Sequence, residues 1–117
     1  MDHRKLVLPE HLNDQGSLFG GYLLKWLDEF AYITANMDYP GNRFVTIALN
    51  NVEFKRQIRC GQILCFSVNE SRIGNTSVEY LVEVYGEIDQ IERRVLFATT
   101  ITFVNVTADG DKQSIAR

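Results

Sequence analysis

At 117 residues the chain has the length of one domain and can bury roughly two thirds of the surface its unfolded form exposes. Its composition, 45% hydrophobic and 23% charged, is that of an ordinary globular protein, and a formal net charge of −3 offers no basic field to a nucleic-acid backbone. No apolar run approaches the roughly 20 residues of a membrane span, and the start, Met1-Asp2-His3-Arg4-Lys5, lacks the apolar segment of a secretory signal, so a cytoplasmic setting is expected, with neither nucleic acid nor membrane as a partner.

In chain order, residues 5–8 read as a short strand that Pro9 stops, followed by a loop over 10–17. Residues 18–37 change to helical period: Leu24, Leu27, Ala31 and Ala35 share one face with Leu23, Phe30 and Thr34 beside them, and Lys25, Glu29, Tyr32 and Asn36 mark the opposite side. Asp38-Tyr39-Pro40-Gly41-Asn42 then supplies strong turn chemistry. Strands are predicted over 44–54, 62–70, 77–85 and 95–104, the third by clean alternation of Val78, Tyr80, Val82 and Val84. Cys60-Gly61, Gly74-Asn75 and residues 86–90 suit hairpins, so the sheet should be mostly antiparallel. Cys60 and Cys65 lie on the order of 16 Å apart along an extended segment, too far for a disulfide. They read as buried or half-buried thiols, and with no histidine nearby they form no metal site.

A helix of about 18 residues, roughly 27 Å long, matches strands of about 30 to 36 Å. It is roughly 10 Å across and cannot cover a five-stranded sheet about 20 Å wide, so the sheet must curl around it. The last strand is apolar-rich on both faces, with Val95, Phe97 and Ile101 on one and Leu96, Ala98 and Val104 on the other, which predicts oligomerisation.

Asp28 is the most informative residue for chemistry. Four after Leu24 and three before Ala31, it puts a carboxylate within the apolar stripe, which requires a buried partner or a special role. Glu29, four after Lys25, reads as a surface ion pair. Gly20 and Gly21 each cost about 1 kcal/mol of helix stability relative to alanine unless something must approach closely there. Free N–H groups at the same helix end suit an oxygen acquiring negative charge. His3 and His11 read as solvent-facing, and Tyr22, Trp26 and Phe30 as core or interface aromatics.

The stretch Pro9-Glu10-His11-Leu12-Asn13-Asp14-Gln15-Gly16-Ser17-Leu18-Phe19-Gly20-Gly21, followed by Leu24-Lys25-Trp26-Leu27-Asp28-Glu29, resembles the signature of the YciA-type and brain-type acyl-CoA hydrolases of the hotdog thioesterase superfamily. The likeness continues through Val45-Thr46-Ile47-Ala48, Val52-Glu53-Phe54, the Gly61 turn, Asn75-Thr76-Ser77-Val78 and the final strand, so it covers nearly the whole chain. It implies an α+β hotdog fold over residues 1–117 as a single domain, one long central helix wrapped by a mostly antiparallel five-stranded curved sheet. The implied activity is hydrolysis of acyl-CoA to free coenzyme A and a carboxylic acid. By that resemblance Asp28 is the general base, or else the nucleophile, and Asn13 meets it across a dimer interface and orients the water or the carbonyl. The N–H of Gly20 or Gly21 then receives the oxyanion.

Coenzyme A brings phosphates, for which Lys55, Arg56 and Arg59 are candidates, and Asn75, Thr76 and Ser77 resemble the family's polar turn near the pantetheine arm. No cofactor is implied, coenzyme A being part of substrate and product. The residues leave dimer, tetramer and hexamer open, and the resemblance implies a homodimer assembled further into a tetramer or a trimer of dimers. The alternative function is a hotdog sensor that binds acyl-CoA without cleaving it; a hotdog hydratase is disfavoured because the predicted helix carries no histidine.

Overall fold

The period-two alternation of residues 77–85 and the period of 3.6 over the helix set one face of a sheet against one stripe of a helix. A computed structural model describes residues 1–87 and 94–117; of the predicted 86–90 connection, residues 88–90 lie outside them. The elements are β1 (Asp2–Leu6), a single 3₁₀ turn (Pro9–His11), α1 (Gly20–Asp38), β2 (Phe44–Phe54), β3 (Ile63–Ile73), β4 (Ser77–Gly86) and β5 (Val95–Asn105). The five strands form one sheet in the order β1-β3-β4-β5-β2, and every pairing among the described residues is antiparallel. Strands β1 and β2 are therefore its two edges.

Bulges bend the sheet around the helix: register shifts fall between Thr46 and Ala48 and between Asn50 and Glu53 in β2, and between Glu70 and Arg72 in β3. Leu23, Leu27, Ala31 and Ala35 of α1 are fully buried against Phe66 of β3, Tyr80 and Val82 of β4, and Phe97, Ile101 and Phe103 of β5. Leu27, Ala31 and Ala35 are thus buried as their spacing predicts, together with the flanking Leu23 and Thr34; Trp26 joins them, and Leu24 is half-buried. The C-terminal end of α1 is tied down by Tyr80, whose hydroxyl donates to Asp38 Oδ2 at 2.8 Å; burial first, and then that carboxylate, pushes the phenol's pKa well above its ordinary value.

Three expectations need correction. The first strand starts earlier, at Asp2, and ends at Leu6, because its pairing with β3 rather than its own apolar pattern defines it. The outer face of β5 is not apolar through its middle: Ala98, Thr100 and Thr102 are half-buried there while Phe97, Thr99, Ile101 and Phe103 point inward. The exposed apolar surface lies instead on the neighbouring edge strand β2, where Val45, Ile47, Val52 and Phe54 are 41%, 55%, 44% and 51% exposed. Cys60 is exposed, because it sits in the turn before β3 where Gly61 takes φ +88°, whereas Cys65 is buried within β3; the two form no disulfide with each other.

After β5 the chain turns back over the sheet, an excursion with no signal in its sequence. Ile115 enters the core, and Asn42 and Ala116 exchange two hydrogen bonds of 3.0 and 2.9 Å. No helix among the described residues is long and apolar enough to cross a membrane.

Candidate active site

Asp28 lies on the flank of α1 that faces β2, at the margin of the buried stripe and half-buried, rather than within the stripe as its spacing suggested. Its Oδ1 accepts a 2.7 Å hydrogen bond from Thr46 Oγ1, and its Oδ2 has no hydrogen-bond partner among the described residues. The two residues line an open cleft of about 450 Å³ with Lys25, Glu29, Tyr32, Phe44 and Val45. Thr46 went unnoticed as a site residue, although its signal was present: a hydroxyl in an otherwise apolar run of a strand that must pass the acid-bearing helix.

The helix start behaves differently at its two glycines. A Cβ on Gly20 would stand 2.9 Å from Phe54 Cζ, so the ring at the end of β2 would have to shift, while a Cβ on Gly21 would meet nothing within 4 Å. The N-cap, Phe19, provides no side-chain cap. Tyr22 and Leu23 donate to Phe19 O at 3.2 and 3.4 Å, and the N–H groups of Gly20 and Gly21 have no acceptor among the described residues. Unused donors at a helix N-terminus suit an anionic oxygen.

Asn13 is held by its own loop. Its Oδ1 accepts from the N–H groups of Gln15 and Ser17 at 2.9 and 3.1 Å, and its N–H donates to Ser17 O at 2.7 Å. With Oδ1 engaged, the side chain offers its amide nitrogen as a donor. Asn13 lines a cavity of about 360 Å³ with Gln15, Ser17, Phe54, Lys55 and Arg56. Arg56 also lines a second cavity with Arg59 and Arg94. Arg59 is partly engaged, its backbone N–H on Gln62 Oε1 at 2.7 Å and its Nη2 on Gln57 Oε1 at 3.2 Å.

Two groups of candidate residues are therefore separate within one chain. Asp28 is eight residues, about 12 Å, along α1 from Gly20, and Asp28 and Asn13 line different cavities. Asn75, Thr76 and Ser77 form the β3–β4 turn beside the end of β5, where Thr76 O accepts from Asn105 N at 2.8 Å. Lys55, just after β2, lies beside the start of β5, its backbone N–H donating to Leu96 O at 3.1 Å, on the order of 30 Å away along the strand. His11 is buried rather than solvent-facing, with Nδ1 accepting from Leu8 N at 3.0 Å and its ring 4.8 and 4.7 Å from those of Tyr22 and Trp26, which gives it a packing role. No group of histidine, cysteine, aspartate or glutamate suited to a metal occurs among the described residues.

A sequence model of the thioesterase superfamily matches residues 15–92. The chain belongs to the thioesterase superfamily. Its fold is the hotdog fold that the resemblance implied, as the solved structure of a hexameric hotdog fold thioesterase of Campylobacter jejuni illustrates: 30% identity, TM-score 0.84, covering 97% of this chain and 88% of that one. An acyl-CoA hydrolase of Staphylococcus aureus, solved in complex with butyryl coenzyme A and coenzyme A, has 28% identity and a TM-score of 0.85, over 98% of this chain and 68% of that one. An uncharacterized acyl-CoA thioester hydrolase of Haemophilus influenzae is 28% identical over 97% of this chain and 76% of its own length. Other thioesterase relatives are longer, and the chain spans 60% to 64% of several of them. Variants of the S. aureus enzyme with an aspartate, a threonine or an asparagine replaced by alanine have also been solved. In that enzyme the asparagine stands 15 positions before the aspartate, as Asn13 does before Asp28, and the threonine 17 after it, against 18 for Thr46.

Proposed function

We propose that this thioesterase hydrolyses acyl-CoA to coenzyme A and a carboxylic acid, in sites built between two copies of the chain. The observation that carries the proposal is Asp28 itself: one carboxylate oxygen fixed by Thr46, the other open to a cleft. It acts as general base, taking a proton from a water that attacks the thioester carbon. The oxyanion of the tetrahedral intermediate is received by the N–H of Gly20 or Gly21, while Asn13 donates from its amide nitrogen to the carbonyl or the water. Collapse breaks the C–S bond, and the proton on Asp28 returns to the departing thiolate of coenzyme A. No cofactor is required.

One chain cannot bring these groups together, since about 12 Å of helix separates Gly20 from Asp28. Pairing two copies through the edge strand β2 does. In an antiparallel, two-fold pairing the Thr46 end of one β2 lies beside the Phe54 end of the other. Asp28 and Thr46 of one copy then approach the Gly20 helix start and the Asn13 loop of the second, and the Asn75–Ser77 turn comes toward the Lys55 and Arg56 that would hold the phosphates. Exposed Val45, Ile47, Val52 and Phe54 supply the apolar surface for such a contact. Hexameric assembly of the C. jejuni relative supports a trimer of these dimers. The alanine variants made in the S. aureus enzyme support the roles given to Asp28, Asn13 and Thr46.

In this reading residues 1–117 are one thioesterase domain, since β1 and Ile115 join the same sheet and core. Cytoplasmic action accords with Cys60 and Cys65 forming no disulfide. The test is release of coenzyme A, followed with a thiol reagent, from acyl-CoAs of several chain lengths. The proposal expects turnover that Asp28→Ala lowers by orders of magnitude; binding of coenzyme A with no release from any chain length would make the protein a sensor.

A further inference from the structure

Ser17 has a buried hydroxyl that the catalytic scheme leaves unused. The residue is 9% exposed, and its Oγ is buried with no hydrogen-bond partner among the described residues. Its backbone, in contrast, is fully engaged: N–H on Asn13 Oδ1 at 3.1 Å, carbonyl oxygen accepting from Asn13 N at 2.7 Å, and a bridge to Arg59 alongside. The loop thus holds an unsatisfied hydroxyl in place at a cost to the stability of the free protein. Ser17 lines the same cavity of about 360 Å³ as Asn13, Leu18, Phe54, Lys55 and Arg56.

The lining specifies complementary chemistry. Lys55 and Arg56 suit phosphate, and Leu18 and Phe54 suit methylenes. A hydroxyl both donates and accepts, so its natural partner is a neutral group that does the same. Within an acyl-CoA that description fits the pantetheine arm, an aliphatic chain interrupted by two amides that leads from the phosphates to the thioester. We propose that Ser17 is a substrate-binding residue whose hydroxyl hydrogen-bonds an amide of the pantetheine arm. The assignment rests on the acyl-CoA reading above and adds to it a residue that sets affinity rather than chemistry.

Such a bond is made alike in the ground state and the transition state, so its loss raises KM and leaves kcat unchanged. In Ser17→Ala, KM for acyl-CoA and Kd for coenzyme A by calorimetry should each rise about tenfold, the worth of one such hydrogen bond. The thermal midpoint of the ligand-free protein should hold or rise, because an unsatisfied polar atom has been removed. Ser17→Thr, which keeps the hydroxyl, should restore the affinity. Unchanged KM and Kd, a loss confined to kcat, or a lower midpoint of the free protein would each overturn the assignment, the last by showing that the hydroxyl is bonded within the folded chain. If the wild type releases no coenzyme A, hydrolysis is excluded, and the Kd comparison still decides the role of Ser17; a wild type that binds no coenzyme A overturns both.

Discussion

The hydrogen bond from Thr46 occupies one carboxylate oxygen of Asp28, which leaves the other as the base in the proposed hydrolysis. Removing the base in Asp28→Ala should lower kcat by about 10²- to 10⁴-fold, the usual contribution of a positioned base, with the circular dichroism spectrum and thermal midpoint nearly unchanged because the residue is only half-buried. Thr46→Ala leaves the acid present but unoriented, and should lower kcat about tenfold or more while Thr46→Ser retains it. Asp28 was legible from sequence because a lone acid beside an apolar stripe breaks the pattern; Thr46 gives a weaker signal, one hydroxyl in an apolar run, and its partner lies 18 residues away. His3 gives a pH prediction. Burial first, then the neighbouring N-terminal ammonium, lowers its pKa, with Asp2 opposing, while its ring stacks on Phe30 at 4.7 Å and Nε2 lies 2.9 Å from Thr34 Oγ1. A histidine pKa depressed on folding contributes stability above its unfolded value of about 6.5 that is lost as pH falls below it. The thermal midpoint should therefore drop from pH 7 to pH 5, and drop less in His3→Gln.

At the scale of elements, periodicity yielded the helix and the four long strands to within three residues at each end, since apolar spacing is what packs them. It placed Leu27, Ala31 and Ala35 in the buried stripe but put Leu24 there in place of Trp26, which the aromatic cluster with His11 and Tyr22 buries through contacts that sequence spacing does not contain. The Gly20-Gly21 pair separates into two roles. Gly20 yields its side-chain space to the ring of Phe54, which also packs on Phe97, so Gly20→Ala should keep the helix by circular dichroism but shift Phe54 at the end of β2 and weaken association of copies, measured by sedimentation. Gly21→Ala meets open space and should stabilise the helix by up to about 1 kcal/mol in thermal unfolding.

For the whole molecule the decisive feature is an edge strand with four exposed apolar side chains, flanked at one end by Asp28 and at the other by the helix start. Sequence patterning anticipated association but assigned it to β5, because both strands are apolar and strand order decides which of them lies at the edge. Likewise, Asn13 and Asp28 could be named from the chain, whereas their separation within it emerges only from the fold. Charging the edge with Ile47→Lys should give a monomer by light scattering and abolish turnover together. The most direct measurement mixes Asn13→Ala with Asp28→Ala, each inactive alone, after mass spectrometry has shown that subunits exchange. In a two-fold dimer each mixed pair regains one of two sites and random mixing makes half the pairs mixed, so about a quarter of the wild-type rate should return. No recovery in exchanged dimers would contradict a site shared between chains.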